Sequence, residues 1–143
     1  MPPKHAKASL YVRSGLFDAL EQFRDLESRI EALQTPGERG AAFEVFVEAY
    51  LATQKTTQAT EIWPEGKIPP AASKQLNLGV RHGVGIDGVY TVPGGAYYAY
   101  QVKFRTGRTP LPFNDVAPFF GITEAFAQRV LITNSDDLAS QIN

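Results

Sequence analysis

The 143-residue chain contains no cysteine. That excludes a disulfide framework, a thiol nucleophile and a cysteine-ligated zinc site, and it fits a reducing cytoplasm. No apolar run approaches the length of a membrane span. The first fifteen residues, MPPKHAKASLYVRSG, lack the apolar stretch of a signal peptide. The expectation is therefore a cytoplasmic protein with no membrane partner. No repeat or low-complexity segment is visible, and no segment offers a sequence-reading device such as a recognition helix or zinc finger. Net charge is also scarce, at −1.

What is present is unevenly placed. Residues 66–114 carry six basic side chains, Lys67, Lys74, Arg81, Lys103, Arg105 and Arg108, with Asp87 as their sole acid, a local net of +5. Residues 1–65 carry seven basic and ten acidic groups, a net of −3. A basic middle beside an acidic N-terminal third suggests a positive face for a polyanion, although an unevenly charged solvated surface gives the same count. Length and a 43% apolar content suit an ordinary globular domain that buries its own core.

Hydrophobic spacing supplies the elements. Residues 1–13 read as a tail. Leu16, Leu20, Phe23, Leu26, Ile30 and Leu33 recur every three or four residues and predict one amphipathic helix over 14–33. That helix either packs on the domain or pairs with a second copy as a homodimer. Thr35-Pro36-Gly37-Glu38 is a capping box with proline at the first helical position, opening a helix to about Thr53. Its apolar face is Phe43, Phe46, Val47, Tyr50 and Leu51; Glu44 lies at the edge of that face, and Glu48 points outward to solvent. Residues 54–83, rich in proline and glycine, predict a long loop with one short strand near Glu61–Trp63. Residues 84–92 and 96–105 predict two strands joined by a turn at Pro93-Gly94-Gly95. A helix follows from Asn114 or Asp115 to about Gln128, with Phe119, Ile122 and Phe126 inward. A buried strand at 129–133 and a last helix from Asp136 complete the order. The expected architecture is α/β with a mixed sheet flanked by helices and an extra N-terminal helix. It divides into residues 1–34, the tail and amphipathic helix, and residues 35–143, the main domain.

The hairpin carries the chemistry. With a three-residue loop Val92 faces Ala96, and the same register sets Asp87 opposite Gln101. Opposed residues project from one sheet face, and Lys103 shares it. A two-residue loop would break this arrangement, because a one-residue slip flips every side chain. An Asp, an amide oxygen and a Lys on one face suit phosphodiester hydrolysis. Mg²⁺ or Mn²⁺ prefers hard oxygen ligands: Asp87, Gln101 Oε1, the Val102 carbonyl and Glu44 from the helix edge are the candidate donors. Lys103 can orient water or offset developing charge. Arg81, His82, Arg105 and Arg108 are candidates for phosphate contact.

Asp87 in Gly85-Ile86-Asp87-Gly88, followed 14 residues on by Gln101-Val102-Lys103, resembles the motif of the PD-(D/E)xK nuclease superfamily, and most of all its Mrr-like branch with Gln-x-Lys. Arg39–Glu44 resembles that branch's first core helix with its active-site Glu. Phe119–Gln128 and Arg129–Asn134 resemble its next helix and strand. The resemblance covers about residues 38–140. It implies a restriction-endonuclease-like fold, Mg²⁺ or Mn²⁺ dependence and DNA cleavage, with Glu44, Asp87, Gln101 and Lys103 as the catalytic set. It also implies a module of a larger restriction, helicase or DNA-processing protein, whose partner domain would supply DNA recognition. Gln101 departs from the acid of the wider superfamily, which opens two alternatives: a catalytically inactive DNA-binding or interaction module, and a branched-DNA resolvase on the same core.

Overall fold

The computed structural model describes residues 1–76, 86–122, 126 and 128–136. Five α-helices are described, α1 (Ala8–Arg13), α2 (Phe23–Glu31), α3 (Pro36–Thr53), α4 (Pro70–Gln75) and α5 (Phe113–Ile122), with a short 3₁₀ turn at Thr106–Arg108. The strands are β1 (Glu61–Pro64), β2 (Gly88–Thr91), β3 (Tyr97–Lys103) and β4 (Gln128–Thr133). They form one mixed sheet in the order β1-β2-β3-β4. The first three strands run antiparallel, and β4 returns parallel to β3 after α5. The expected α/β class with a mixed sheet is observed.

Alternation along the strands feeds two apolar clusters. Ile62, Tyr90, Tyr100 and Val102 point to the side on which α3 lies, with Phe43, Val47 and Leu51 beneath them. Val89 and Ala99 point the other way, against Ala72 of α4, Phe119 of α5 and Phe126. Ala8, Tyr11, Leu26 and Ile30 join the α3-side cluster, so the N-terminal third shares that core.

α3 begins where its capping box placed it. Thr35 Oγ1 accepts the Glu38 N–H at 3.1 Å and Glu38 Oε1 accepts the Thr35 N–H at 3.1 Å. The hairpin turn has three residues. The Gly95 N–H reaches the Val92 carbonyl at 2.9 Å, and Gly94 and Gly95 have φ of +98° and +88°, which a side chain resists.

Several expectations need correction. The expected tail contains α1, and the single helix expected over 14–33 shortens to α2, because the chain reverses between the two at Gly15 (φ +83°) and Ala19 (φ +52°). Arg29 holds this loop by donating Nη1–H to the carbonyls of Gly15, Leu16 and Asp18. Asp25 opens α2 by accepting the Gln22 N–H at 3.1 Å. The long loop after α3 contains α4, which starts at a proline as helices often do. β4 is half-exposed rather than buried, since it is the edge of the described sheet. Glu48 is 4% exposed, not solvated; the N-terminal segment covers it. The last helix expected from Asp136 lies outside the described residues.

Candidate active site

The β2–β3 ladder has the register expected from the turn: Thr91 opposes Tyr97, and Gly88 opposes Tyr100. Continued by one residue, it sets Asp87 opposite Gln101. Asp87 itself lies just before β2. Its main chain is fixed from both sides: its N–H donates to the Tyr100 carbonyl at 3.0 Å, and its carbonyl accepts the Glu65 N–H at 2.8 Å. The carboxylate bends back to β3, where Oδ2 accepts the Val102 N–H at 2.7 Å. A residue's N–H and C=O leave a strand on the same edge, so the Val102 carbonyl also points to this edge, past the last pairs of β2.

Lys103 and Gln101 share the β3 face of Ala99, opposite to the side on which α3 packs. Glu44 comes from α3. Asp87 therefore stands at the end of the sheet, opposite Gln101 in register and within reach of the charges of Glu44 and Lys103, with Glu44 coming from one side of the sheet and Gln101 and Lys103 from the other. Burial, and then the charge of Glu44, push the Asp87 carboxyl up from its ordinary value of 3.8 to about 6; the Val102 N–H and Lys103 pull the other way, and Glu65 adds to the rise. Asp87 is half-buried.

Gln101 is 3% exposed, and its Oε1 is buried with no hydrogen-bond partner. A buried acceptor left unmatched is costly and rare in folded proteins. Tyr100 is 1% exposed. Burial first, then the charges of Glu48, Asp87 and Glu44, hold its phenol well above the usual range, so it keeps its proton. Its ring lies directly over Gly88, where an added Cβ would stand 2.1 Å from Tyr100 Cζ. Only glycine lets the ring lie there.

Glu44 Oε1 lies 2.8 Å from His5 Nε2. His5 was not picked out by sequence reasoning. No pattern marks a lone histidine in a polar leader, 39 residues from its partner. Among the described residues, no group of three or more His, Cys, Asp or Glu side chains is placed to hold a metal ion. The candidate oxygen donors around Asp87 are instead the Glu44 carboxylate, the Gln101 amide and the Val102 main-chain carbonyl, with the Glu65 charge also acting on Asp87.

The proposed phosphate-binding residues separate. Arg81 and His82 lie outside the described residues. Arg108 forks onto Glu27, with Nε 2.9 Å from Oε2 and Nη2 on Oε1, and Asn134 Nδ2 adds a bond to the same carboxylate at 2.9 Å. Glu27 is 4% exposed; the Arg108 hydrogen bonds are the main reason its carboxyl stays below the ordinary range, against its burial. Arg105 is less committed. Its guanidinium is 3.9 Å from Asp115, its Nε is buried without a partner, and its side chain is 31% exposed. Lys103 is half-buried.

Among the described residues no helix is long and apolar enough to cross a membrane. No family model matches the chain, and no curated protein or solved structure matches it either.

Proposed function

We propose that this chain is a divalent-metal-dependent DNA endonuclease module of the restriction-endonuclease-like, Mrr-like type. The observation that supports the reading is the hairpin register that sets Asp87 opposite Gln101, two residues before Lys103, with the charges of Lys103 and of Glu44 from α3 both acting on the Asp87 carboxyl. The order α3, three antiparallel strands, α5 and a parallel fourth strand, with helices on both sheet faces, agrees with the mixed core that the sequence resemblance implies.

The residues fit a hard cation. Gln101 Oε1 is a buried oxygen acceptor in need of a partner, and the Asp87 carboxyl is pushed up first by burial and then by the charge of Glu44, both of which a cation beside it would offset. Asp87, Glu44, Gln101 Oε1 and the Val102 carbonyl would hold Mg²⁺ or Mn²⁺, which when bound lowers the pKa of water and offsets charge on the scissile phosphate. The chain's own residues do the rest. The Val102 N–H orients Asp87. Lys103 supplies a positive charge beside it that can stabilise charge developing on a phosphate oxygen. Tyr100 keeps its hydroxyl proton and can donate it as a hydrogen bond. Arg105 is the described arginine best placed to contact phosphate, because Arg108 already has Glu27. Recognition of a target, and attachment to helicase or DNA-binding domains of a larger protein, belong to the same proposal.

The test is cleavage of supercoiled, linear and branched DNA with Mg²⁺, Mn²⁺ or EDTA. Metal-dependent cleavage should be abolished by Asp87→Ala and by Lys103→Ala. Gln101→Glu should tighten Mg²⁺ binding by placing a second charge at the ion, and should weaken the metal-free fold. Wild-type cleavage rates in either alanine variant, or looser Mg²⁺ binding by Gln101→Glu, would sink the mechanism. DNA binding without cleavage in any metal would favour the inactive-module reading, to which the neutral Gln101 points. Cleavage of branched DNA alone would favour the resolvase.

A further inference from the structure

We propose that His5 is a positioning residue of this site, holding Glu44 in place for the cation through a strap formed by residues 4–7. The proposal rests on the metal site of the nuclease reading.

The strap is fastened independently of His5's ring. The main-chain N–H groups of Lys4 and His5 donate to the two oxygens of Glu48, at 2.7 and 3.0 Å. Lys4 Nζ binds Glu61 Oε2 at 2.7 Å and the Ile62 carbonyl at 2.8 Å, and lies 5.8 Å from the centroid of the Trp63 ring. These bonds tie the segment to α3 and to β1. They bring His5 to Glu44, one helical turn before Glu48.

The imidazole's own bonds fix its role. The Lys7 N–H donates to Nδ1 at 3.0 Å, so Nδ1 carries no proton. The neutral ring then has its proton on Nε2, facing Glu44 Oε1 at 2.8 Å. Nε2 therefore donates to the carboxylate and has no lone pair to offer an ion. The ring is largely enclosed, with 12% of the side chain exposed against 28% for Glu44. A histidine serving only to attach the N-terminus would duplicate what Lys4 and Glu48 already achieve. One oxygen of Glu44 is held by His5, which leaves the other for the cation, and the Glu44 charge acts on the Asp87 carboxyl. Hydrogen bonds of this kind to ligating carboxylates typically change metal affinity by about 10–100-fold.

The experiment is Mn²⁺ titration of the full chain, with free Mn²⁺ read by electron paramagnetic resonance, on wild type and on Asp87→Asn, His5→Ala, His5→Phe and His5→Gln. Thermal unfolding in EDTA is recorded in parallel. Wild type should bind Mn²⁺, and Asp87→Asn should lose the site. His5→Ala and His5→Phe should each bind about 10-fold more weakly or worse, with unfolding in EDTA little changed because the strap's other bonds remain. His5→Gln, whose amide N–H can still donate to Glu44, should recover part of the loss. If the alanine variant does not fold, the phenylalanine variant carries the comparison. Wild-type affinity in the folded donor-less variants overturns the role. So does a glutamine variant no better than they are, or a directly coordinated imidazole nitrogen in the spin-echo spectrum of the wild type. If wild type binds no Mn²⁺ at all, the nuclease reading falls, and this inference with it. Wild-type binding with unchanged His5 variants removes the inference alone.

Discussion

A carboxylate held away from water beside another carboxylate resists ionisation, and Asp87, pushed up to about 6, is in that position. Its folded value lies above the unfolded one. Its favourable contribution is therefore complete below about pH 4 and is lost as pH rises through about 6. Without metal, wild type should become less stable relative to Asp87→Asn across that window. Above it the variant should be the more stable by about 2 kcal/mol, with about 3 kcal/mol as the ceiling set by the size of the shift. Urea unfolding in EDTA at pH 4, 5, 6 and 7.5 reads this directly. Parallel stability curves for the two proteins would mean that Asp87 is not so enclosed. Gly88 makes the opposite kind of demand. An alanine there would place Cβ 2.1 Å from Tyr100 Cζ and 2.2 Å from its hydroxyl. That ring is packed against Tyr90, with centroids 6.3 Å apart, and cannot swing aside freely. Gly88→Ala should cost about 3 kcal/mol, and a loss under about 0.5 kcal/mol, the scatter of ordinary surface changes, would show that the ring moves.

At the level of elements, α3 links the core, the strap and the proposed site. Its N-terminus is set by the reciprocal Thr35–Glu38 bonds, its apolar side supports the sheet, and Glu44 and Glu48 project one turn apart toward the strap. Thr35→Ala removes one cap and should cost about 1 kcal/mol. Because Glu44 lies well inside the helix, Mn²⁺ affinity should not change, and a parallel loss of affinity would show that fraying travels to the site. The cap and the hairpin register were legible in the sequence, because both depend on residues within a few positions of one another. The reversal that replaces the first part of the helix expected over 14–33, and α1 inside the expected tail, were not. Leu16, Leu26 and Ile30 are buried as one continuous helix would also bury them, so the apolar spacing does not reveal the intervening reversal. α4 was missed for a related reason: six residues, the first of them Pro70, are too few to show a helical period.

Across the whole molecule, the basic middle expected to form one face is divided by the fold. Arg108 is neutralised by Glu27 at 2.9 Å, whereas Arg105 stands 3.9 Å from Asp115, a looser pairing. Neutralising a DNA phosphate releases condensed counterions, so binding should weaken steeply with salt. Arg105→Ala should reduce the slope of log affinity against log salt by about one unit at most. Arg108→Ala should leave the slope nearly unchanged and lower the unfolding temperature instead. Filter binding on one duplex from 50 to 300 mM salt, a range of roughly this order being where such slopes show, separates them. Equal slopes for wild type and Arg105→Ala would remove Arg105 from the interface.

The sequence by itself determined what is local: the cap that starts α3, the Pro-Gly-Gly turn, the register that follows from its length, and hence the approach of Asp87 to Gln101 and Lys103. Turn geometry and side-chain alternation act over a few residues, so they are written in a few residues. Tertiary structure alone decided which charges are neutralised and which are exposed to solvent. Glu48 reads as a solvated helix residue until main-chain donors 43 and 44 positions away cover it. Arg108 reads as a free cation until Glu27, 81 positions away, takes it. His5 has no reading at all until the strap brings it to Glu44. Burial and electrostatic pairing depend on the whole packed chain, and no local pattern encodes them.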